Sequence, residues 1–216
     1  MNSTTLKEKF DSLTLECKDH WDYQGTTNSE RDFVHDFCTY PAMMVPKMQR
    51  ELLDVCLSQM NGTRVSLLDP FAGSGTILVE GMLRGLDIVG IDIYPLAILL
   101  CKAKTNILPP SLLHEKSASL INRINAQTHV QPHEFDGINK WFTEKAINDL
   151  SRIRSAIQAE PLNEYRIFYW AAFCEVVRLV SNSRTCTYKL HIKPKEDITS
   201  YNKNAITLFE TTLQMR

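Results

Sequence analysis

The residue types best suited to chemistry are gathered in one stretch, Asp69-Pro70-Phe71-Ala72-Gly73-Ser74-Gly75-Thr76. A strand that ends in a glycine turn and opens a helix presents free backbone N–H groups, and the missing Cβ atoms let a ligand come close. A ligand carboxylate or phosphate can dock on such donors. A dinucleotide fingerprint would want a third glycine where Leu78 stands, and a Walker A loop would want a lysine that is absent, so both phosphate-binding patterns weaken. A glycine turn that closes a strand and binds nothing is the competing reading.

This stretch resembles motif I of the amino-methyltransferases that act on DNA adenine or cytosine. In that family the loop wraps the methionine part of S-adenosylmethionine, and an acidic residue at the end of the next strand holds the ribose hydroxyls. Gly90-Ile91-Asp92-Ile93 supplies Asp92 at that place, the role an acid plays about 20 residues on in nucleotide-binding βαβ units. Upstream, Phe37-Cys38-Thr39-Tyr40-Pro41-Ala42-Met43-Met44-Val45-Pro46 resembles the family's motif X, which covers the other side of the cofactor; an ordinary proline-kinked loop with core methionines is the alternative. The resemblance thus implies a cofactor site made of Asp69, Pro70, Phe71, Ala72, Gly73, Ser74, Gly75, Thr76, Asp92 and Ile93, closed by Tyr40 and Pro41. The implied fold is α/β, a Rossmann-like S-adenosylmethionine-dependent methyltransferase fold with an incomplete parallel sheet and a helical insertion.

The family's second signature is missing. An exocyclic amino nitrogen is a poor nucleophile, and the family positions it with Asp/Asn/Ser-Pro-Pro-aromatic, whose ring stacks on a base flipped out of the helix. The chain has a single Pro-Pro pair, in Leu108-Pro109-Pro110-Ser111, with no acceptor before it and no aromatic after it. No catalytic residue is therefore assigned. A central strand lacking its catalytic neighbour would leave an open edge that invites another chain. The expectation is one subunit of a split enzyme, completed by a second chain, or a truncated product.

The elements that must position the loop can be read from the pattern. Arg64 to Leu68 reads as a buried strand stopped at Asp69-Pro70, Thr76 to Leu83 as a helix ended by Gly85, and Asp87 to Ile91 as a second strand. That order makes a βαβ unit with parallel strands. Helices are predicted from Met48 to Met60, closed at Asn61-Gly62, and from Leu96 to about Asn106 after Pro95. Residues 1–32 are polar and turn-rich, with a loop from Gln24 to Ser29, so the first anchor is expected at Phe33 to Phe37, with Trp21 and Tyr23 packed against the body.

Residues 33–108 form the cofactor-binding region, and 109–184 read as a helical insertion with helices at Leu112 to Ala126, Thr143 to Ala159 and Ile167 to Val180. Residues 185–216 read as a strand, Thr185 to Ile192, and a tail leading toward the missing catalytic half.

Composition sets the outer limits. With 24 basic and 25 acidic side chains the formal charge is −1, so contact with nucleic acid must rest on a local patch. The candidate patch is Arg178, Arg184, Lys189 and Lys193, which could hold DNA phosphates without reading sequence; a solvated strand and loop is the bland reading.

The 6 cysteines lack CxxC spacing and read as reduced thiols, and His35, His133 and His191 have no partner at zinc spacing, so no metal is assigned. Trp141, Phe142, Trp170 and Phe173 fall in helical apolar patterns and read as core. With no signal sequence and no apolar run of membrane-spanning length, a cytoplasmic location without membrane contact is expected.

Two rivals remain. One is a transfer RNA guanosine methyltransferase with the same motif order; the other is a non-catalytic cofactor-binding subunit that completes a partner.

Overall fold

The structure is a computed structural model that describes residues 5–16, 34–41, 43–60, 64–184, 190–200 and 203–214. Trp21, Tyr23, the Gln24 to Ser29 loop, Phe33, Ala42, the Asn61-Gly62 helix stop, Lys189 and most of the strand expected from Thr185 lie outside them. The chain divides into two compact units, 1–36 with 42–105, and 37–41 with 106–216.

The first unit is built on the expected strand–loop–helix–strand. Its elements are α1 (Leu6–Glu16), α2 (Pro46–Leu57), β1 (Ser66–Asp69), α3 (Thr76–Leu83), β2 (Asp87–Gly90) and α4 (Pro95–Thr105). β1 and β2 pair in parallel from Ser66 with Asp87 to Asp69 with Gly90. The ladder continues past the named strands, with Ile91 N–H donating to the Asp69 carbonyl at 2.8 Å and Ala72 N–H to the Ile91 carbonyl at 2.9 Å.

Ala72, Leu78 and Cys101 make a buried cluster with Leu67 and Ile88 packed on it, so α3 and α4 seat on the two strands through small and branched apolar side chains. Among the described residues β1 has β2 as its one strand neighbour. Leu68 is 62% exposed, and Val89 and Ile91 are each 53% exposed, so apolar strand side chains stand open.

Three expectations about this unit are corrected. β1 begins at Ser66 instead of Arg64, because pairing starts at Asp87 and the Arg64 guanidinium is drawn onto the Asp87 carboxylate at 2.6 and 3.1 Å. The helix read from Met48 starts at Pro46, which suits a first helical position because its missing N–H costs nothing there. The polar N-terminal stretch is not structureless before Phe33: it holds α1. There Thr5 and Glu8 form a capping box, Thr5 N–H to Glu8 Oε2 at 2.6 Å and Glu8 N–H to Thr5 Oγ1 at 3.3 Å.

The second unit is helical: α5 (Pro110–Ala126), α6 (Ile138–Trp141), α7 (Glu144–Gln158), α8 (Asn163–Val180), α9 (Lys195–Ser200) and α10 (Ala205–Gln214). Its core is assembled from Leu120 and Ile124 of α5, Ile153 and Ile157 of α7, Tyr169 and Val176 of α8, and Phe209 of α10, all fully buried. Phe37 belongs to this unit, its ring edge-on to Phe168 with centroids 5.1 Å apart.

The C-terminal segment holds α10, which packs on α5, α7 and α8. Asn204 caps it by accepting from Ile206 and Thr207 N–H at 2.9 and 3.1 Å, and Ala205, Phe209, Thr212 and Leu213 face inward at helical spacing. Of the expected Thr185 to Ile192 strand, the described residues show one antiparallel bridge, Ser183 to Ile192. Among the described residues no helix is long and apolar enough to cross a membrane.

Candidate functional site

The loop after β1 is shaped by backbone bonds that the sequence encodes locally. Asp69 Oδ1 accepts the Phe71 N–H at 3.0 Å, which turns the chain at Pro70. Gly75 N–H then donates to the Ala72 carbonyl at 2.8 Å, closing a tight turn. Gly73 and Gly75 take φ of 50° and 78°, the left-handed region that glycine enters without strain. A Cβ on Gly75 would lie 3.0 Å from Cys101 Sγ and 3.3 Å from Cys101 Cα, so a side chain there has neither the backbone nor the room.

Asp92 is brought to the same place from β2. Its Oδ1 accepts the Tyr94 N–H at 2.8 Å and its Oδ2 accepts the Gly73 N–H at 2.8 Å, so the acidic residue is bonded to the glycine loop itself. These bonds, Tyr94's foremost and Gly73's next, hold the Asp92 carboxyl below the ordinary aspartate value and keep it ionised.

Two further features leave the loop able to receive a ligand. Asp69 Oδ2 is buried with no hydrogen-bond partner among the described residues, a state that native structures rarely leave unexplained. Gly75 stands at the N-cap of α3 and has no side chain, so the cap residue itself offers the first-turn amides no side-chain acceptor.

Ala72, Ser74, Gly75 and Thr76 are buried in the turn, Asp69, Gly73 and Asp92 are half-buried, and Pro70, Phe71 and Ile93 are exposed beside them. Asp69 to Thr76 and Asp92 are therefore brought together. Tyr40 and Pro41 belong to the second unit, in a segment pinned where Thr39 N–H donates to Glu175 Oε2 at 3.2 Å.

Of the basic patch, Arg178 is paired with Glu175 at 2.6 and 3.0 Å and Lys193 Nζ donates to the Ser181 carbonyl at 2.9 Å, while Arg184 is exposed and Lys189 lies outside the described residues. The patch is thus already partly bound within the chain.

The sequence reading missed Cys101, whose thiol donates to the Gly73 carbonyl at 3.4 Å across 28 residues. Burial foremost pushes that thiol up to about 11, so it stays protonated and serves as a donor. Nothing in the local pattern marked it. Glu80 was also missed, although an acid inside the apolar run of α3 was a visible signal. Among the described residues no group of three metal-ligating side chains comes together.

The strand, the glycine turn and the acid bonded to it lie within residues 37–132, which match a family model described as UPF0020: RMKL-like, methyltransferase domain. The chain is 35% identical over 210 residues to the Type II methyltransferase M.MvaI of Kocuria varians, an alignment covering 92% of this chain and 46% of that one. It is 32% identical over 87 residues to the Type II methyltransferase M.MjaII of Methanocaldococcus jannaschii, covering 39% of this chain and 16% of that one. Over 56 residues it is 41% identical to the tRNA (guanine(10)-N2)-dimethyltransferase of Methanothermobacter thermautotrophicus, covering 25% of this chain and 15% of that one. Together these matches support a DNA methyltransferase family for the chain. It spans less than half the length of each of these relatives. No solved structure matches it.

Proposed function

We propose that this chain is the cofactor-binding portion of a site-specific DNA methyltransferase with a Rossmann-like fold. It binds S-adenosylmethionine, and the methyl group goes to an exocyclic amino group of cytosine or adenine. The observation that carries the reading is the bond from Gly73 N–H to Asp92 Oδ2 at 2.8 Å, which holds the glycine loop and the acid as one site.

The donor set fits the cofactor group by group. The orphaned Asp69 Oδ2 is an acceptor for the ammonium of its methionine part. The first turn of α3 offers amides to its carboxylate. The ionised Asp92 is an acceptor for ribose hydroxyls, and the exposed Ile93 and Phe71 offer apolar surface beside it. When bound, the cofactor supplies an electrophilic methyl group on a sulfonium. Tyr40 and Pro41 stay in the proposal on the resemblance alone, and Arg184, Arg178, Lys189 and Lys193 stay as candidate phosphate contacts.

Residues 1–216 contain no Asp/Asn/Ser-Pro-Pro-aromatic motif, so the transfer step needs that motif from another stretch of polypeptide. A second reading, methylation of a transfer RNA guanosine, is favoured by the short match to the tRNA methyltransferase. Methyl transfer from labelled cofactor, with the missing motif supplied, to transfer RNA and not to duplex DNA would favour it.

Calorimetric titration with S-adenosylmethionine tests the site. The wild-type chain is expected to bind, and Asp92→Ala to bind at least tenfold more weakly; equal affinity in both would remove Asp92 from the site, and no binding by a folded wild type would remove the cofactor.

A further inference from the structure

Glu80 is fully buried on α3, an acid within the otherwise apolar Thr76–Leu83. A carboxylate can stay charged in such a place only if it is paired and hydrogen-bonded. Its partners come from three segments. His35 Nε2 lies 3.0 Å from Oε1. Arg50 of α2 donates from Nε to Oε2 at 3.1 Å and from Nη2 to Oε1 at 3.0 Å. Arg84, just past the end of α3, donates from Nη1 to Oε2 at 2.9 Å.

Arg84 in turn holds the Asp54 carboxylate of α2 at 2.7 and 2.9 Å and reaches the Arg50 carbonyl at 3.3 Å. Burial foremost would raise the Glu80 carboxyl, but the hydrogen bonds of Arg50, Arg84 and His35 together outweigh it and hold it below its ordinary value.

The places joined are informative. The chain leaves the first unit after Asp36 and returns at Ala42. His35 therefore stands at the exit and Arg50 in the first helix after re-entry. Glu80 itself lies one turn beyond Thr76, where α3 leaves the glycine loop. Next to it, Gly81 lies so close to the sheet that a Cβ would be 3.0 Å from Ile88 Cγ2 and 3.4 Å from Leu67 Cδ1. A helix of 8 residues is thus held on two sides, against the strands by its glycine and to α2 by its carboxylate. Rotation would swing its first-turn amides away from a ligand seated on the loop.

We propose that Glu80 is a positioning residue: it clamps α3 to α2 and to the His35 turn, and so fixes the direction in which the glycine loop presents its amides to the cofactor. The proposal rests on the reading of Asp69 to Thr76 as an S-adenosylmethionine site.

The test is calorimetric titration of the full chain with S-adenosylmethionine at a temperature where each variant keeps wild-type helical circular dichroism. Glu80→Ala and Arg50→Met are each expected to weaken binding tenfold or more, although neither residue is placed on the ligand. Glu80→Gln, which keeps the shape and one acceptor, is expected to fall between them and wild type. The double variant Glu80→Ala/Arg50→Met is expected to bind no more weakly than the worse single variant, since both break one clamp.

A merely structural role would lower the melting temperature and leave the affinity of the folded protein alone, so folded variants binding within twofold of wild type overturn the proposal. Additive losses in the double variant also overturn it. Should Glu80→Ala not fold, Glu80→Gln and Arg50→Met decide; if these too fail to fold, Glu80 serves folding only and the proposal falls. A folded wild type that does not bind would instead refute the cofactor reading, a distinct result.

Discussion

At the scale of single residues, Gly75 carries more constraint than its neighbours in the loop. Its φ of 78° strains any other residue, and a Cβ would press on Cys101 at 3.0 Å. Gly75→Ala is expected to lower stability by about 1–2 kcal/mol through the left-handed backbone and to weaken cofactor binding. Urea unfolding measures the first effect, and an unchanged midpoint would contradict it.

Asp69 to Thr76 and Asp92 were legible in the sequence because the geometry of a strand-to-helix turn is local and its residue types follow from it. What each carboxylate oxygen does was not. Asp69 gives one oxygen to a turn and leaves the other without a partner among the described residues, while Asp92 gives both to backbone N–H groups. Cys101 and Glu80 were hidden for a related reason: apart from Arg84, four residues on from Glu80, their partners lie 28 and 30 to 45 residues away, and no spacing rule reaches so far.

Elements were read best where one face is apolar and a breaker marks the end. α3, β2, α5, α7 and α8 follow their predicted spans within a few residues. Two helices that were not expected, α1 and α10, carry a signal in the cap. α1 is announced by Thr5 and Glu8 and α10 by Asn204, features too short to stand out in turn-rich sequence without knowing what the helix packs on. For α10 that packing is substantial, with Phe209 fully buried in the helical unit. Phe209→Ala is expected to cost about 3–5 kcal/mol, the range for emptying a buried aromatic site, with a matching fall in the urea midpoint. A loss below about 1 kcal/mol would show that α10 is not part of this core.

For the molecule as a whole, the chain divides into two units, one holding the strand–helix–strand and one helical. The division was less legible, because residues 37–41 leave one unit for the other and no composition change marks the crossing. β1 keeps one strand neighbour among the described residues, with Leu68 and Val89 open to solvent.

Function at this scale turns on whether the first unit takes up S-adenosylmethionine where the loop and acid meet. Backbone amide exchange of the whole chain, with and without saturating cofactor, reads this most directly. Slowed exchange at the amides of Gly73 to Leu78 and at Ile93 and Tyr94, with the helical unit's α5 and α7 unchanged, is the expected result. Unchanged exchange across the loop, or protection confined to the helical unit, would contradict it.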